Sequence, residues 1–86
     1  MKKYLIVGYN KASAYKMLYT LTNTQQDVER FGYIEENDVR YFPLWEGWTG
    51  HGFRVDGMYV DSKINQAYFL ECLVPMLKKE NFVKWF

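Results

Sequence analysis

Two short runs of strand-forming residues, Phe53-Arg54-Val55 and Met58-Tyr59-Val60, flank the dipeptide Asp56-Gly57. A two-residue Asp-Gly link between such runs is the signature of a type I′ hairpin, because both central residues of that turn need positive φ. No other local pattern in the chain constrains the fold as much. The sequence therefore predicts an antiparallel pair here, with the remaining elements arranged around it.

After the second run, Asp61 or Ser62 is placed to cap a helix beginning near Lys63. Ile64, Ala67, Tyr68, Leu70, Leu73, Val74 and Leu77 would give that helix an apolar surface broader than one face. Such a helix is either largely buried or partly an interface. Pro75 is expected to kink it or end it near Val74, since proline lacks the N–H that a helix interior uses. Phe82-Val83-Lys84-Trp85-Phe86 then closes the fold as a last strand or docks as a tail.

At the other end, Tyr4-Leu5-Ile6-Val7-Gly8-Tyr9 is a continuous apolar run that reads as a buried strand. Asn10 can cap a following helix with Ala14, Met17, Leu18 and Leu21 on one face. The alternation Tyr15, Met17, Tyr19, Leu21 fits a strand instead; the Ala, Lys, Met and Leu content favours the helix. Thr24 and Asp27 resemble the cap and acidic first turn of a short helix with Val28 and Phe31 inward, ended by a left-handed Gly32. Glu35-Glu36-Asn37-Asp38 reads as an exposed turn. Val39-Arg40-Tyr41-Phe42 reads as a strand whose ladder Pro43 disturbs or confines to an edge.

These elements predict an α+β fold in one compact domain over residues 1–86. Its antiparallel sheet of about three to five short strands packs against one long C-terminal helix and one or two shorter helices. A domain of 86 residues buries roughly 60–65% of its unfolded surface, so each core side chain counts. The apolar fraction of 49% suffices for a folded core, and the 8 Tyr, 6 Phe and 3 Trp are in excess of what a core this size needs.

Composition also excludes some functions. Cys72 stands alone, so no intrachain disulfide staples the fold. Met1-Lys2-Lys3, Leu5-Ile6-Val7 and Ala12-Ser13-Ala14 resemble a signal peptide, but Asn10 and Lys11 interrupt an apolar stretch that is too short. No segment approaches the ~20 apolar residues of a membrane span, and a cytoplasmic location is expected. The net charge of +1 argues against a protein that acts mainly by electrostatics. Charge is nevertheless uneven. Lys2, Lys3, Lys11 and Lys16, with Lys78, Lys79 and Lys84, flank an acidic middle of Asp27, Glu29, Glu35, Glu36 and Asp38. Folding can turn that pattern into a basic and an acidic face, or leave it as ordinary solvated surface.

Residues 41–53 gather Trp45, Trp48, His51 and three glycines. Glycines let a backbone approach a partner and tryptophans give rigid contact area, which fits a protein-binding loop of Trp45, Trp48, Phe53 and Arg54. The same residues also fit a loop folded inward over a small core. The glycines match no phosphate-binding pattern. His51 is the single histidine, and its charge changes near neutral pH, yet no spacing pairs it with Cys72, Asp56 or Asp61 as a catalytic centre. Cys72 sits in the apolar helix, where a thiol is inert. One Cys and one His do not make a closed zinc site, and Glu35, Glu36 and Asp38 lack calcium-loop spacing, so no metal or cofactor is expected.

The leading expectation is a small protein-interaction module, an inhibitor or adaptor that binds a protein partner or a second copy of itself through the aromatic loop. In its small size, its Tyr, Asn, Lys and Phe content and its lack of a catalytic signature, the chain resembles small accessory proteins of phages and mobile elements. The alternative is a nucleic-acid-binding accessory protein using Lys2, Lys3, Lys11 and Lys16 beside Tyr4, Tyr9, Tyr15 and Tyr19. A small enzyme centred on His51 ranks third.

Overall fold

A strand that is apolar on both faces belongs in the middle of a sheet, and that is where the first run lies. The computed structural model describes residues 1–22, 32–47, 54–79 and 81–86. Lys2–Gly8 forms β1, Lys11–Leu21 forms α1, and Ile34–Glu36 and Val39–Trp45 form β2 and β3. Gly57–Val60 forms β4, Gln66–Tyr68 forms α2, and Val83–Trp85 forms β5. The sheet order is β2-β3-β1-β4-β5. β1 runs parallel to both β3 and β4, and β4 runs parallel to β5, whereas β2 pairs with β3 antiparallel. Leu5, Ile6 and Val7 are fully buried.

The α+β class stands, but the expected antiparallel sheet is a mixed one with mostly parallel pairing. The Asp56-Gly57 hairpin does not form, and neither residue has positive φ. Val55 bridges Leu77 in parallel and does not pair with the run after Gly57. Asp56 instead clamps the start of β1. Its N–H donates to the Lys3 carbonyl at 2.8 Å, and its carboxylate accepts the Lys3 N–H at 2.9 Å. Gly57 is required for space, since a β-carbon there would lie 2.2 Å from the Phe82 ring.

The type I′ turn occurs elsewhere, at Asn37 (φ 53) and Asp38 (φ 66), and joins β2 to β3. Asn and Asp tolerate this region better than other side chains do. β2 pairs with β3 only as far as Tyr41, so at Pro43 the strand is locally an edge and the proline interrupts no pairing with β2.

Among the described residues, two helical segments cover opposite faces. Asn10 caps α1 as expected, its Oδ1 accepting the Ser13 N–H at 2.8 Å. Ala14, Met17 and Leu18 are buried, and Met17 and Leu18 pack with Ile6 and Ile34. Gly8 permits this close approach, because a β-carbon on it would lie 2.2 Å from the Ala14 backbone nitrogen. On the other face Leu5, Val7, Leu44, Val55, Met58 and Val60 meet Ile64, Leu73 and Met76.

That second segment is not the long C-terminal helix expected. Asn65, rather than Asp61 or Ser62, caps it by accepting from the Ala67 and Tyr68 N–H groups. A single α-turn widens into a π-turn over Phe69–Leu73 and then tightens into a 3₁₀ turn over Val74–Met76. Pro75 supplies the physical cause: it has no N–H for the carbonyl four residues earlier, and its ring crowds that carbonyl. Val83–Trp85 is a strand, as one of the two readings of the tail held. Gly32 has the expected positive φ of 79°, while the helix proposed before it, from Thr24 to Phe31, lies outside the described residues. Among the described residues no helix is long and apolar enough to cross a membrane.

Candidate functional site

From the carboxyl end of β1 the chain enters α1 and returns in β3 on one side, whereas β4 lies on the other side. Where connections diverge in this way, the ends of adjacent parallel strands are left with a crevice between them. Open α/β sheets bind their ligands in that crevice. An open groove of about 470 Å³ occupies this position, lined by Tyr9, Asn10, Ser13, Lys16, Asp61, Lys63 and Phe86 among others.

Each wall follows from local structure. Tyr9 and Asn10 are the two residues between β1 and α1, and the Asn10 cap fixes where the helix begins. Ser13 and Lys16, three residues apart on α1, share the helix face over the groove. Asp61 follows β4, and its N–H donates to the Val7 carbonyl at 2.8 Å. Its carboxylate accepts the Ser13 hydroxyl at 2.5 Å and the Lys63 N–H at 2.9 Å, so it ties the loop after β4 to α1. The Ser62 N–H donates to the Phe86 carbonyl at 2.9 Å, which brings the end of the chain to the rim.

The electrostatics suit an anion. Burial pushes the Asp61 carboxyl up, but the Ser13 hydroxyl, the Lys63 N–H and charge, and the Tyr9 N–H outweigh it and hold the group below the ordinary carboxylate range. Asp61 is therefore ionised at neutral pH, with both oxygens engaged by the protein. Lys63 Nζ lies 5.3 Å from the centre of the Tyr9 ring, and Lys16 is exposed on the opposite wall. Lys16, Lys63, the Tyr9 and Phe86 rings, the Asn10 amide and the ionised Asp61 carboxylate thus line one crevice. Among the described residues, no group of three or more His, Cys, Asp or Glu side chains is placed to hold a metal ion.

Of the residues expected to bind a protein partner, Trp45 and Arg54 are described, and they lie at opposite ends of the sheet. Trp45 ends β3 at the carboxyl edge of the sheet, with 36% of its surface exposed and its ring centroid 6.4 Å from that of Tyr15. Its carbonyl accepts the Tyr68 hydroxyl at 3.4 Å. Arg54 is exposed but precedes β4, at the opposite edge of the sheet from Trp45. Trp48, His51 and Phe53 lie outside the described residues. Cys72 is half-buried in the π-turn.

The basic residues of the alternative reading are also divided. Lys16 is in the groove, Lys11 stands 5.6 Å from the Tyr15 ring centre, and Lys2 lines a second groove at the opposite edge of the sheet. Ser13, Asp61, Lys63 and Phe86 were missed as site residues. The available signal was an apolar strand ending in Gly8 before a capped helix, and a second apolar strand ending in Asp61. The hairpin reading of residues 53–60 obscured it.

Comparison with protein-family models, with curated proteins and with solved structures finds no match to this chain.

Proposed function

We propose that the chain is a binding module for a small phosphorylated ligand of the nucleotide type, held in the groove at the carboxyl ends of β1 and β4. The observation that carries this reading is the position of the groove. It lies at the point in a parallel sheet where the connections diverge, and Lys16 and Lys63 face into it. A phosphate meets the two ammonium groups, and a flat base lies against Tyr9 or Phe86 at the rim. Asp61 is a positioning residue: its carboxylate is spent on Ser13 and the Lys63 backbone and fixes the two walls relative to each other. The Tyr9-Asn10 link is too short to wrap a phosphate as a glycine-rich loop does, and the Asn10 side chain already takes the Ser13 N–H. Affinity in this reading comes from the lysines rather than from a backbone cradle. Titration with nucleoside mono-, di- and triphosphates, followed at the backbone amides of Tyr9, Asn10, Ser62 and Lys63, tests it.

A second reading keeps the protein-interaction module. Its support is the exposed apolar surface: Leu70 at 62%, Val74 at 38% and Trp85 at 45% exposure, with Trp45 partly open at the carboxyl edge. The Phe69 and Trp85 rings meet at 4.8 Å, so β5 and the π-turn share one apolar surface. Larger apolar patches of this kind mark partner or homodimer sites. Sedimentation of the chain alone and with fractionated lysate, compared between wild type and Leu70→Glu, tests that reading.

A further inference from the structure

The half of the sheet face not occupied by α1 carries a band of aromatic rings. α1 lies over β1 and β3. Side chains alternate along each strand, so Tyr4 shares this face with Ile6, which packs on α1. Tyr59 of β4 packs at the border of the same cluster. Phe82 meets Tyr4 at 4.8 Å and Tyr59 at 5.3 Å, and Phe86 stacks on Tyr59 at 5.9 Å. Phe86 is 48% exposed, and the other three are half-buried. Lys84 lies between them, its Nζ 5.9 Å from the Tyr59 ring centre and 5.8 Å from that of Phe82.

The band runs from one groove to the other. At the carboxyl edge, Phe86 belongs to the groove with Lys16 and Lys63. At the amino edge, Tyr4 and Phe82 line an open groove of about 460 Å³ with Lys2, Lys78 and Lys79. The acidic Glu35, Glu36 and Asp38 are at the far side of the sheet, in or beside the β2–β3 hairpin. Among the described residues, Lys2, Lys78 and Lys79 with Asp56 line the groove at one end of the aromatic strip, and Lys16 and Lys63 with Asp61 line the groove at the other. Phe82 to Phe86 spans about 13 Å at ~3.3 Å per residue, and sheet-borne aromatics elsewhere stack two or three bases.

We infer that this face binds a single strand of nucleic acid, its bases stacked on Tyr4, Tyr59, Phe82 and Phe86 and its phosphates drawn by Lys2, Lys79 and Lys84. Partly exposed rings interleaved with ammonium groups match unpaired bases on a phosphate backbone. An acidic peptide would use the lysines and leave the rings uncovered. A duplex hides its base faces. The inference deepens the ligand-binding reading at one end only, through Phe86, and otherwise stands on residues outside that groove.

The test is fluorescence anisotropy with labelled single-stranded DNA and RNA of about eight nucleotides, a duplex of the same sequence, and a labelled mononucleotide. The proteins compared are wild type and the exposed-site variant Lys79→Glu/Lys84→Glu. The expected result is binding of one or both single strands in preference to the duplex, weakened about tenfold between low and physiological salt. The variant loses at least about tenfold more, while its mononucleotide affinity is unchanged. No single-strand binding at low salt, equal binding of duplex, or full affinity in the variant overturns the inference. Mononucleotide binding without any gain from the longer strand overturns it and leaves the groove reading in place.

Discussion

The Ser13 hydroxyl donates to the Asp61 carboxylate at 2.5 Å, joining the first turn of α1 to the end of β4 across 48 residues of sequence. A hydrogen bond to a charged acceptor contributes about 1.5–3 kcal/mol when its loss leaves the partner unsatisfied, and partial exposure lowers that here. Ser13→Ala is therefore expected to destabilise the fold by about 1 kcal/mol and to weaken ligand binding, because the groove walls lose their tie. Urea unfolding gives the first quantity and nucleotide titration the second.

The same pair sets a pH dependence. Asp61 and Asp56 both sit below the ordinary carboxylate pKa in the folded chain. Asp61 does so against its own burial, and Asp56 chiefly through the Lys3 N–H, with Lys78 at 3.4 Å assisting. A depressed folded-state pKa stabilises the fold above the unfolded value, near 3.9, and that stability is lost as pH falls through the folded value. Stability is expected to be level from neutral pH down to about 5 and to fall below about 4. The double variant Asp56→Asn/Asp61→Asn should be less stable at neutral pH and show a shallower acid transition. Thermal unfolding across that range measures both effects.

Gly8 lies against the backbone of α1. A β-carbon there would be 2.2 Å from the Ala14 nitrogen and 2.7 Å from its Cα, and backbone atoms do not swing aside. Gly8→Ala is expected to cost about 1–3 kcal/mol, the range for overpacking, and to abolish groove binding by lifting α1 from β1. Chemical denaturation checks the first outcome. Retention of wild-type stability would mean that α1 does not pack this closely.

The Asn37-Asp38 turn offers a change in the opposite direction. Both residues hold positive φ, and Asn-Gly is the preferred pair for a type I′ turn. Asp38→Gly should raise stability by up to about 1 kcal/mol by relieving the left-handed strain at a non-glycine position. The denaturation midpoint of the variant relative to wild type tests it.

Much of the element content was legible in the sequence, and its pairing was not. The Asn10 cap and the spacing of Ala14, Met17 and Leu18 identify α1, because helical period and capping chemistry are both local. The buried strand over residues 4–8 is equally local. Strand pairing depends on contacts distant in sequence, and there Asp56-Gly57 misled. Gly57 avoids positive φ and exists to admit the Phe82 ring, which enters from 25 residues away. The turn chemistry is present in Asn37-Asp38, yet in the sequence Glu35-Glu36-Asn37-Asp38 reads only as an exposed turn. The groove was hidden by the same error, since Asp61 becomes a strand-end residue beside β1 only when β4 is parallel to it. Trp45 and Arg54 stand out in the sequence by residue type alone, and the parallel topology puts them at opposite edges of the sheet.

The central claim is that the crevice between the ends of β1 and β4 binds a phosphorylated, nucleotide-type ligand through Lys16 and Lys63. Isothermal titration of wild type and of Lys16→Ala, Lys63→Ala and the double variant with a nucleoside triphosphate tests it most directly. Each lysine contributes a charge-assisted contact of about 1.5 kcal/mol. The predicted result is saturable one-to-one binding by wild type, about tenfold weaker in each single variant and about a hundredfold weaker in the double variant, with all four proteins equally stable. No heat of binding in wild type, or unchanged affinity in the double variant, would contradict the account.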